Sequence, residues 1–109
     1  MITQKQIKDL TDLVVKRTEA ERIYLFGSYA TNSANENSDV DLLVVMNQKL
    51  SKEKRRAVAA DLSRESAEGN LFFPKDFKVY SKEEFERLRE NKNSFLYHIL
   101  KTAKPLYVA

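Results

Sequence analysis

The sequence predicts an α+β (α/β) fold in which helices pack on a small β-sheet. Short apolar runs of strand length alternate along the chain with longer segments whose apolar residues recur at helical spacing. The chain of 109 residues is long enough for one hydrophobic core and too short for two, so we expect a single domain over residues 1–109. With 42% hydrophobic and 32% charged residues, its composition favours neither a disordered nor a fibrous protein.

Composition and charge exclude several classes of protein. No apolar run approaches the roughly 20 residues that span a bilayer, and the N-terminus lacks a signal-peptide pattern, so we expect a cytoplasmic protein without a membrane partner. The absence of cysteine excludes disulfides and thiolate metal sites. The net charge of +3 permits attraction to a nucleotide or an acidic partner, but it does not argue for direct nucleic-acid binding. The single histidine, His98, is assigned no chemistry.

The first third of the chain is predicted to form a helix and then a strand. Thr3 and Gln6 match a capping box, so we expect a helix over residues 4–19. Arg22–Phe26 is a run of residues that favour β-structure, and a short helix is expected to begin at Tyr29–Ala30. The apolar residues that recur at helical spacing in the first helix are Ile7, Leu10, Leu13 and Val14.

The middle of the chain is predicted to hold a buried strand and a second helix. Leu42–Val45 is a continuous apolar run, as expected of a strand that is buried on both faces. Ser51 can cap a helix over residues 52–68, which Gly69–Asn70 would end. Cations around its start are interpreted as a solvated surface, with a phosphate or partner site as the alternative. These cations are Lys49, Lys52, Lys54, Arg55 and Arg56.

The last third is predicted to supply a third strand, two short helices and a closing strand. Leu71–Pro74 is expected to form a loop or an edge segment, and Asp76–Tyr80 to form the strand. Ser81–Glu84 matches a capping box for the next helix, and Ser94 is expected to cap a final one that ends at Pro105. The short closing strand is Leu106–Val108. Within the final helix, the residues expected to pack inward are Phe95 and Ile99, with Leu96 and Leu100 as further candidates.

Two acidic residues at the mouth of the buried strand form the first candidate site. Strand side chains alternate in direction, so Asp39 and Asp41 are expected to point the same way. Neighbouring carboxylates repel each other, and a divalent metal ion between them would offset that cost. The alternative is a pair of ordinary aspartates at the end of a loop.

A glycine–serine pair at the end of the preceding strand forms the second candidate site. Because Gly27 has no Cβ, backbone N–H groups and the Ser28 hydroxyl can approach a phosphate closely. The first amides of the helix expected at Tyr29–Ala30 would add to this site. A phosphate-binding turn near two carboxylates suggests that nucleotide phosphates bind there together with Mg²⁺.

These motifs resemble the signature of the polymerase-beta-like nucleotidyltransferase superfamily. Gly27–Ser28 is followed, after ten intervening residues, by Asp39–Asp41, whose sequence is Asp-x-Asp. The layout of the whole chain is most similar to that of the minimal nucleotidyltransferases (MNT proteins), which are often paired with HEPN-domain partners. The resemblance extends from Ile23–Phe26 through Asp76–Tyr80 to Pro105–Tyr107.

This resemblance implies a fold and a set of site residues. It implies the mixed, few-stranded sheet of the nucleotidyltransferase palm. It also implies a third acidic residue on the neighbouring strand, for which Asp76 is the only good candidate; the alternative is an ordinary strand-edge aspartate. Asp39, Asp41 and Asp76 would be the catalytic residues and would bind two Mg²⁺ ions. Gly27 and Ser28 would hold the β- and γ-phosphates of the nucleotide.

The implied reaction is attack of an acceptor hydroxyl on the α-phosphate of a nucleoside triphosphate, expected to be ATP. The resemblance further implies an antitoxin that transfers AMP to a tyrosine of a HEPN partner. Two alternatives are a non-catalytic antitoxin that neutralises its partner by complex formation and a homo-oligomeric, dimeric enzyme acting on a small molecule. Relatives commonly carry an arginine and a glycine where this chain has Thr31 and Asn32. This departure is expected to weaken triphosphate binding.

Overall fold

The computed structural model describes residues 1–109 and contains one four-stranded mixed sheet. In chain order the strands are β1 (Ala20–Phe26), β2 (Val40–Met46), β3 (Lys75–Ser81) and β4 (Lys104–Val108). Their spatial order is β3–β2–β1–β4. β1 is antiparallel to both β2 and β4, whereas β3 runs parallel to β2. The predicted α+β fold with a small mixed sheet is confirmed.

Four helices surround the sheet, and a hydroxyl side chain caps each of them. They are α1 (Gln4–Arg17), α2 (Lys52–Glu68), α3 (Lys82–Arg89) and α4 (Phe95–Ile99). In each case the capping hydroxyl accepts a hydrogen bond from the N–H group three residues ahead, which satisfies a donor that the helix itself cannot pair. The caps are Thr3, Ser51, Ser81 and Ser94. None of the helices combines the length and the apolar character needed to cross a membrane.

The sheet separates two hydrophobic cores. On one face, Leu42 and Val44 of β2 pack with apolar residues of α1 and α2. The smaller core lies under α3 and α4 and consists of Phe26, Leu43, Val45, Phe85 and Leu96. Because successive residues of β2 contribute to opposite cores, this strand is buried on both faces, as its continuous apolar run predicted.

The prediction that a helix begins at Tyr29–Ala30 is wrong. The segment after β1 instead forms successive turns, in which the Gly27 carbonyl oxygen accepts hydrogen bonds from the N–H groups of Ala30 (3.0 Å) and Thr31 (3.3 Å). Asn32 then adopts a left-handed conformation with φ of 59°, which a right-handed helix cannot accommodate. The chain therefore changes direction directly after the glycine–serine pair.

Only half of the capping box predicted at Ser81–Glu84 forms. The Ser81 hydroxyl accepts a hydrogen bond from the Glu84 N–H group, but the Glu84 carboxylate forms an ion pair with Arg55 of α2. The Arg55 guanidinium also lies 5.7 Å from the centre of the Tyr80 ring. Arg55 is therefore a partly buried residue that links α2 to α3. The other four cations of the predicted solvated surface are exposed: Lys49, Lys52, Lys54 and Arg56.

The packing of α4 differs from the prediction by one residue. Leu96 is completely buried, whereas Phe95, which was expected to pack inward, is 52% exposed. α4 has only five residues, and so short a segment leaves the phase of its apolar face undetermined from sequence. Pro105 does not end this helix, which stops at Ile99. It lies inside the edge strand β4, where a proline is tolerated because one side of the strand needs no partner.

Candidate functional site

The three predicted carboxylates lie at one end of β2 and β3. Asp41 is directly opposite Asp76 in the parallel register of these strands, which places their backbones about 4.8 Å apart. Asp39 lies immediately before β2 and is exposed. The Val40 N–H group donates to the Pro74 carbonyl oxygen (3.0 Å), so the starts of both strands are held together. The strand register thus brings residues that are distant in sequence to one place.

Asp41 and Asp76 point to the face of the sheet that α3 and α4 partly cover. Asp41 lies two and four residues before Leu43 and Val45, both of which belong to the core under these helices. Alternating side-chain direction therefore assigns Asp41 to this face. Because Asp76 is its register partner, it points the same way.

The turn after β1 packs directly against one of these carboxylates. β1 pairs Phe26 with Asp41, so Gly27 follows beside the Asp41 side chain. Gly27 has φ of +74°, and a Cβ at this position would overlap with Asp41 Oδ2. The N–H groups of Ser28 and Tyr29 donate to no protein acceptor. Two free donors therefore lie next to a carboxylate, which is an arrangement suited to binding a phosphate together with a cation.

Negative charge is concentrated at Asp41. Burial, followed by the neighbouring charges of Asp76 and Asp39, raises the pKa of the Asp41 carboxyl group to about 6. Lys78 has the opposite effect on this pKa, and its ammonium group lies 3.4 Å from the Asp76 carboxylate. The single nearby cation thus compensates only part of the acidic cluster, so a bound cation would be favourable here.

The donor set suits a hard divalent cation such as Mg²⁺, which prefers carboxylate and phosphate oxygens. Asp41 and its register partner Asp76, with Asp39 on the segment before β2, are the side chains that would contribute oxygen ligands to such an ion. No three acidic or histidine side chains converge on one point as a complete ligand set. Asp76 is paired with Lys78, and Asp39 is exposed on the segment before β2. Oxygen atoms of a bound phosphate or of water would have to complete the coordination.

A cavity of about 510 Å³ adjoins the same turn on the side of α4. It combines aromatic and hydroxyl side chains and has no lysine or arginine in its lining. Besides the Gly27–Ser28 turn, the side chains that matter here are Thr31, Ser33, Phe95, His98 and Thr102. Thr31 is the position at which the resemblance implies an arginine, and no other arginine or lysine lines the cavity in its place.

Sequence reasoning assigned no role in the site to Lys78, and it missed the cavity-facing side of α4. Lys78 could have been found, because it lies two residues after Asp76 on one strand and so shares its face. No spacing of this kind in the sequence indicated that Phe95 and His98 would lie near the site. The His98 ring donates from Nε2 to the Lys92 carbonyl oxygen (2.9 Å) and is exposed at the cavity, which only the placement of α4 reveals.

Comparison with known proteins assigns the chain to a family. Residues 8–109 match the model described as "Polymerase beta, Nucleotidyltransferase". The chain therefore belongs to this family of nucleotidyltransferases. A comparison with curated proteins finds no match.

Solved structures with the same fold include several toxin–antitoxin complexes. A chain of a toxin–antitoxin with AMP-PNP is 21% identical, with a TM-score of 0.60, and the match covers 99% of this chain and 75% of that one. A chain of the toxin–antitoxin MntA–HepT is 19% identical, with a TM-score of 0.57 and coverage of 98% and 74%. The third structure is the complex of a tri-AMPylated HEPN toxin from Shewanella oneidensis with MNT antitoxin. Its matching chain is 17% identical, with a TM-score of 0.56 and coverage of 99% and 74%. At these identities the likeness is one of fold, and it agrees with the resemblance to MNT proteins.

Proposed function

We propose that this nucleotidyltransferase uses Mg²⁺ to transfer AMP from ATP to a hydroxyl group of a HEPN-type partner protein in the cytoplasm, and so acts as an antitoxin. The observation that carries the proposal is the contact between the Gly27 turn and Asp41, whose register partner is Asp76. A phosphate bound at the free amides of this turn would lie next to the carboxylates. That proximity is what transfer of a nucleotidyl group requires.

The residues of the site have distinct roles in the proposed reaction. The acceptor oxygen forms a bond to the α-phosphorus, the bond from that phosphorus to the bridging oxygen breaks, and pyrophosphate leaves. Asp76 takes the proton of the acceptor hydroxyl, and the Lys78 ammonium beside it holds the carboxylate in position. Ser28 and the amides of the turn bind the β- and γ-phosphates. Asp39, Asp41 and Asp76 would hold Mg²⁺, which would supply positive charge for the reacting phosphates.

The partner protein is proposed from the comparisons. Chains of this fold occur in toxin–antitoxin complexes, one of which contains a HEPN toxin that carries AMP groups. A second candidate function is neutralisation of the partner by binding alone. No lysine or arginine lines the cavity beside the turn. This favours the alternative, because less positive charge is available there to bind a triphosphate.

Labelling of the partner distinguishes the two functions. The purified protein is incubated with Mg²⁺, α-labelled ATP and its co-expressed partner, alongside an Asp39→Ala/Asp41→Ala variant. Label on the partner that is lost in the variant would support the transferase. A stable complex without label from any of the four nucleotides would leave binding as the function and contradict the proposed reaction.

Thr31→Arg is expected to tighten ATP binding. Thr31 is exposed and lines the cavity next to the Gly27 turn, so a longer side chain has room there, and its guanidinium would lie beside phosphates bound at the turn. A charge-assisted contact of this kind is worth about a tenfold decrease in Kd. Calorimetric titration with a non-hydrolysable ATP analogue measures the effect. Thr31→Gln supplies comparable polar reach without charge and should change the Kd little. Equal affinities for the wild type and the arginine variant would show that the triphosphate lies elsewhere.

A further inference from the structure

We propose that the outer edge of β3, together with the basic side of α2, docks an extended acidic segment of a partner protein, which adds to the sheet as a further strand. The surface is a cleft of about 240 Å³ between α2 and β3, which shares no residue with the cavity beside the Gly27 turn. The inference rests on the proposed function only in taking a protein as the partner, and it applies to transfer and to neutralisation by binding alike.

The outer edge of β3 offers backbone groups that have no partner. β3 is an edge strand, with β2 on one side only. The Pro74 carbonyl oxygen faces β2, where it accepts from the Val40 N–H group. Because backbone groups alternate in direction along a paired strand, the N–H and C=O groups of Phe77 and Val79 point away from β2. Both residues line the cleft. Unpaired groups of this kind are a template for another strand.

The opposite edge of the sheet is less suited to this role. β4 contains Pro105, which has no N–H group, and its pairing with β1 is interrupted by a register shift between Ile23 and Tyr24. β3 contains no proline and pairs with β2 in continuous register over all seven of its residues. The regular edge at which a strand can be added is therefore that of β3.

The charge of the cleft selects an acidic segment. Lys52, Arg55 and Arg56 share one side of α2, because they are three and four residues apart. Lys52 and Arg56 are exposed and form no ion pair, whereas Arg55 is engaged with Glu84. Lys78 of β3 adds a further cation, and no acidic side chain lines the cleft. A segment with an acidic residue at every second position would direct its carboxylates toward α2.

Other occupants fit this edge less well. A second copy that paired through the same edge would bring Lys52, Arg56 and Lys78 against their equivalents, and like charges on neighbouring strands are destabilising. A nucleic acid could contact the cations, but it has no peptide groups to pair with the backbones of Phe77 and Val79. The volume of about 240 Å³ is below the usual range of small-molecule sites and suits the side chains of an added strand.

The test follows the backbone amides of β3. The ¹⁵N-labelled protein is titrated at low salt with a blocked hexapeptide of alternating glutamate and valine. We expect the amide resonances of Phe77 and Val79 to shift and these amides to exchange more slowly with solvent. The same peptide with every backbone nitrogen methylated keeps its charge but has no N–H donors, so it should bind more weakly and leave the exchange unchanged.

Reversing charge at the cleft tests its electrostatic part. Lys52→Glu/Arg56→Glu should weaken binding of the peptide and of the co-expressed partner about tenfold, and high salt should reduce the difference. The variant should fold, because both side chains are exposed and glutamate is favourable at position 52, the first of α2. Lys16→Glu/Lys92→Glu is the matched control, since it makes the same change of charge at exposed residues outside the cleft. It should bind like the wild type.

Several results would overturn the docking surface. These are silence of the Phe77 and Val79 amides, equal binding of the methylated peptide, tighter binding of a single-stranded oligonucleotide at the same residues, and a change of these resonances on dilution alone, as in self-association. Wild-type labelling of the partner by Lys52→Glu/Arg56→Glu, at a partner concentration below KM, would overturn it while leaving the proposed function intact. A wild type that gave no label, but whose β3 amides responded to the peptide, would contradict the transferase and support the docking surface.

Discussion

Replacing Asp41 by asparagine is expected to abolish nucleotidyl transfer while stabilising the metal-free protein at neutral pH. Transfer should fall by a factor on the order of 10³, because the side chain loses the charge that would hold a metal ion against the phosphates. Stability should rise because the same charge is partly buried beside Asp76 and Asp39. The loss of transfer and the gain in stability would both result from removing one charge. Observed together, they would identify Asp41 as a carboxylate kept for function at a cost in stability.

The pH dependence of stability follows from the raised pKa of Asp41. The carboxyl group has a pKa of about 6 in the folded protein and an ordinary value near 4 in the unfolded chain. Folding therefore disfavours ionisation, so the wild type loses stability as the pH rises from about 4 through 6 and carries the full cost above that. Since the side chain is only partly buried, solvent screening reduces this cost to about 1 kcal/mol. Asp41→Asn cannot ionise and should lack this loss.

Chemical denaturation in EDTA at pH 4.5 and pH 7.5 measures the difference. The gain from Asp41→Asn should be present in full at pH 7.5 and fall to about a third of that value at pH 4.5, where the unfolded chain still ionises this carboxyl group for the most part. Glu36→Gln removes an exposed carboxylate from the loop before β2 and should show no such dependence. Adding Mg²⁺ should raise the melting temperature of the wild type more than that of Asp41→Asn. A variant that is less stable than the wild type at pH 7.5 would contradict the electrostatic account.

Gly27→Ala is expected to destabilise the protein by about 2 kcal/mol and to abolish transfer. Alanine at φ of +74° is strained, and its Cβ would overlap with Asp41 Oδ2. Either the turn or the carboxylate must move, and both belong to the proposed site. Thermal unfolding measures the loss of stability, and the labelling of the partner measures the loss of transfer.

Gly69→Ala is the matched control for this substitution. Gly69 follows α2 with φ of −86°, and the atom nearest to an added Cβ would be 3.5 Å away, an ordinary contact. This variant should change stability by less than about 0.5 kcal/mol and leave transfer intact. If both glycine variants behaved alike, the contact between the turn and Asp41 would not be the reason for glycine at position 27.

Local patterns in the sequence were sufficient for the four strands and four helices, though not for the turn that follows β1, and for part of the candidate site. Helix starts were predictable because a capping hydroxyl acts over three residues. The apolar run Leu42–Val45 was predictable as a buried strand, since both of its faces carry the same kind of side chain. Gly27 and Ser28 were recognisable as a candidate phosphate-binding pair because backbone freedom and a hydroxyl are properties of the residues themselves.

Tertiary structure alone decided how these parts are placed relative to one another. The pairing of Asp41 with Asp76 depends on the register of two strands joined through α2, and the pairing of Glu84 with Arg55 depends on how α2 and α3 meet. In α4, packing against the sheet buried Leu96 and left Phe95 at the wall of a cavity. A helix of five residues is too short for the spacing of its apolar residues to predict which side faces the core. Each of these outcomes is set by contacts between distant segments. The sequence therefore determined which residues could carry the chemistry, and packing determined which of them meet.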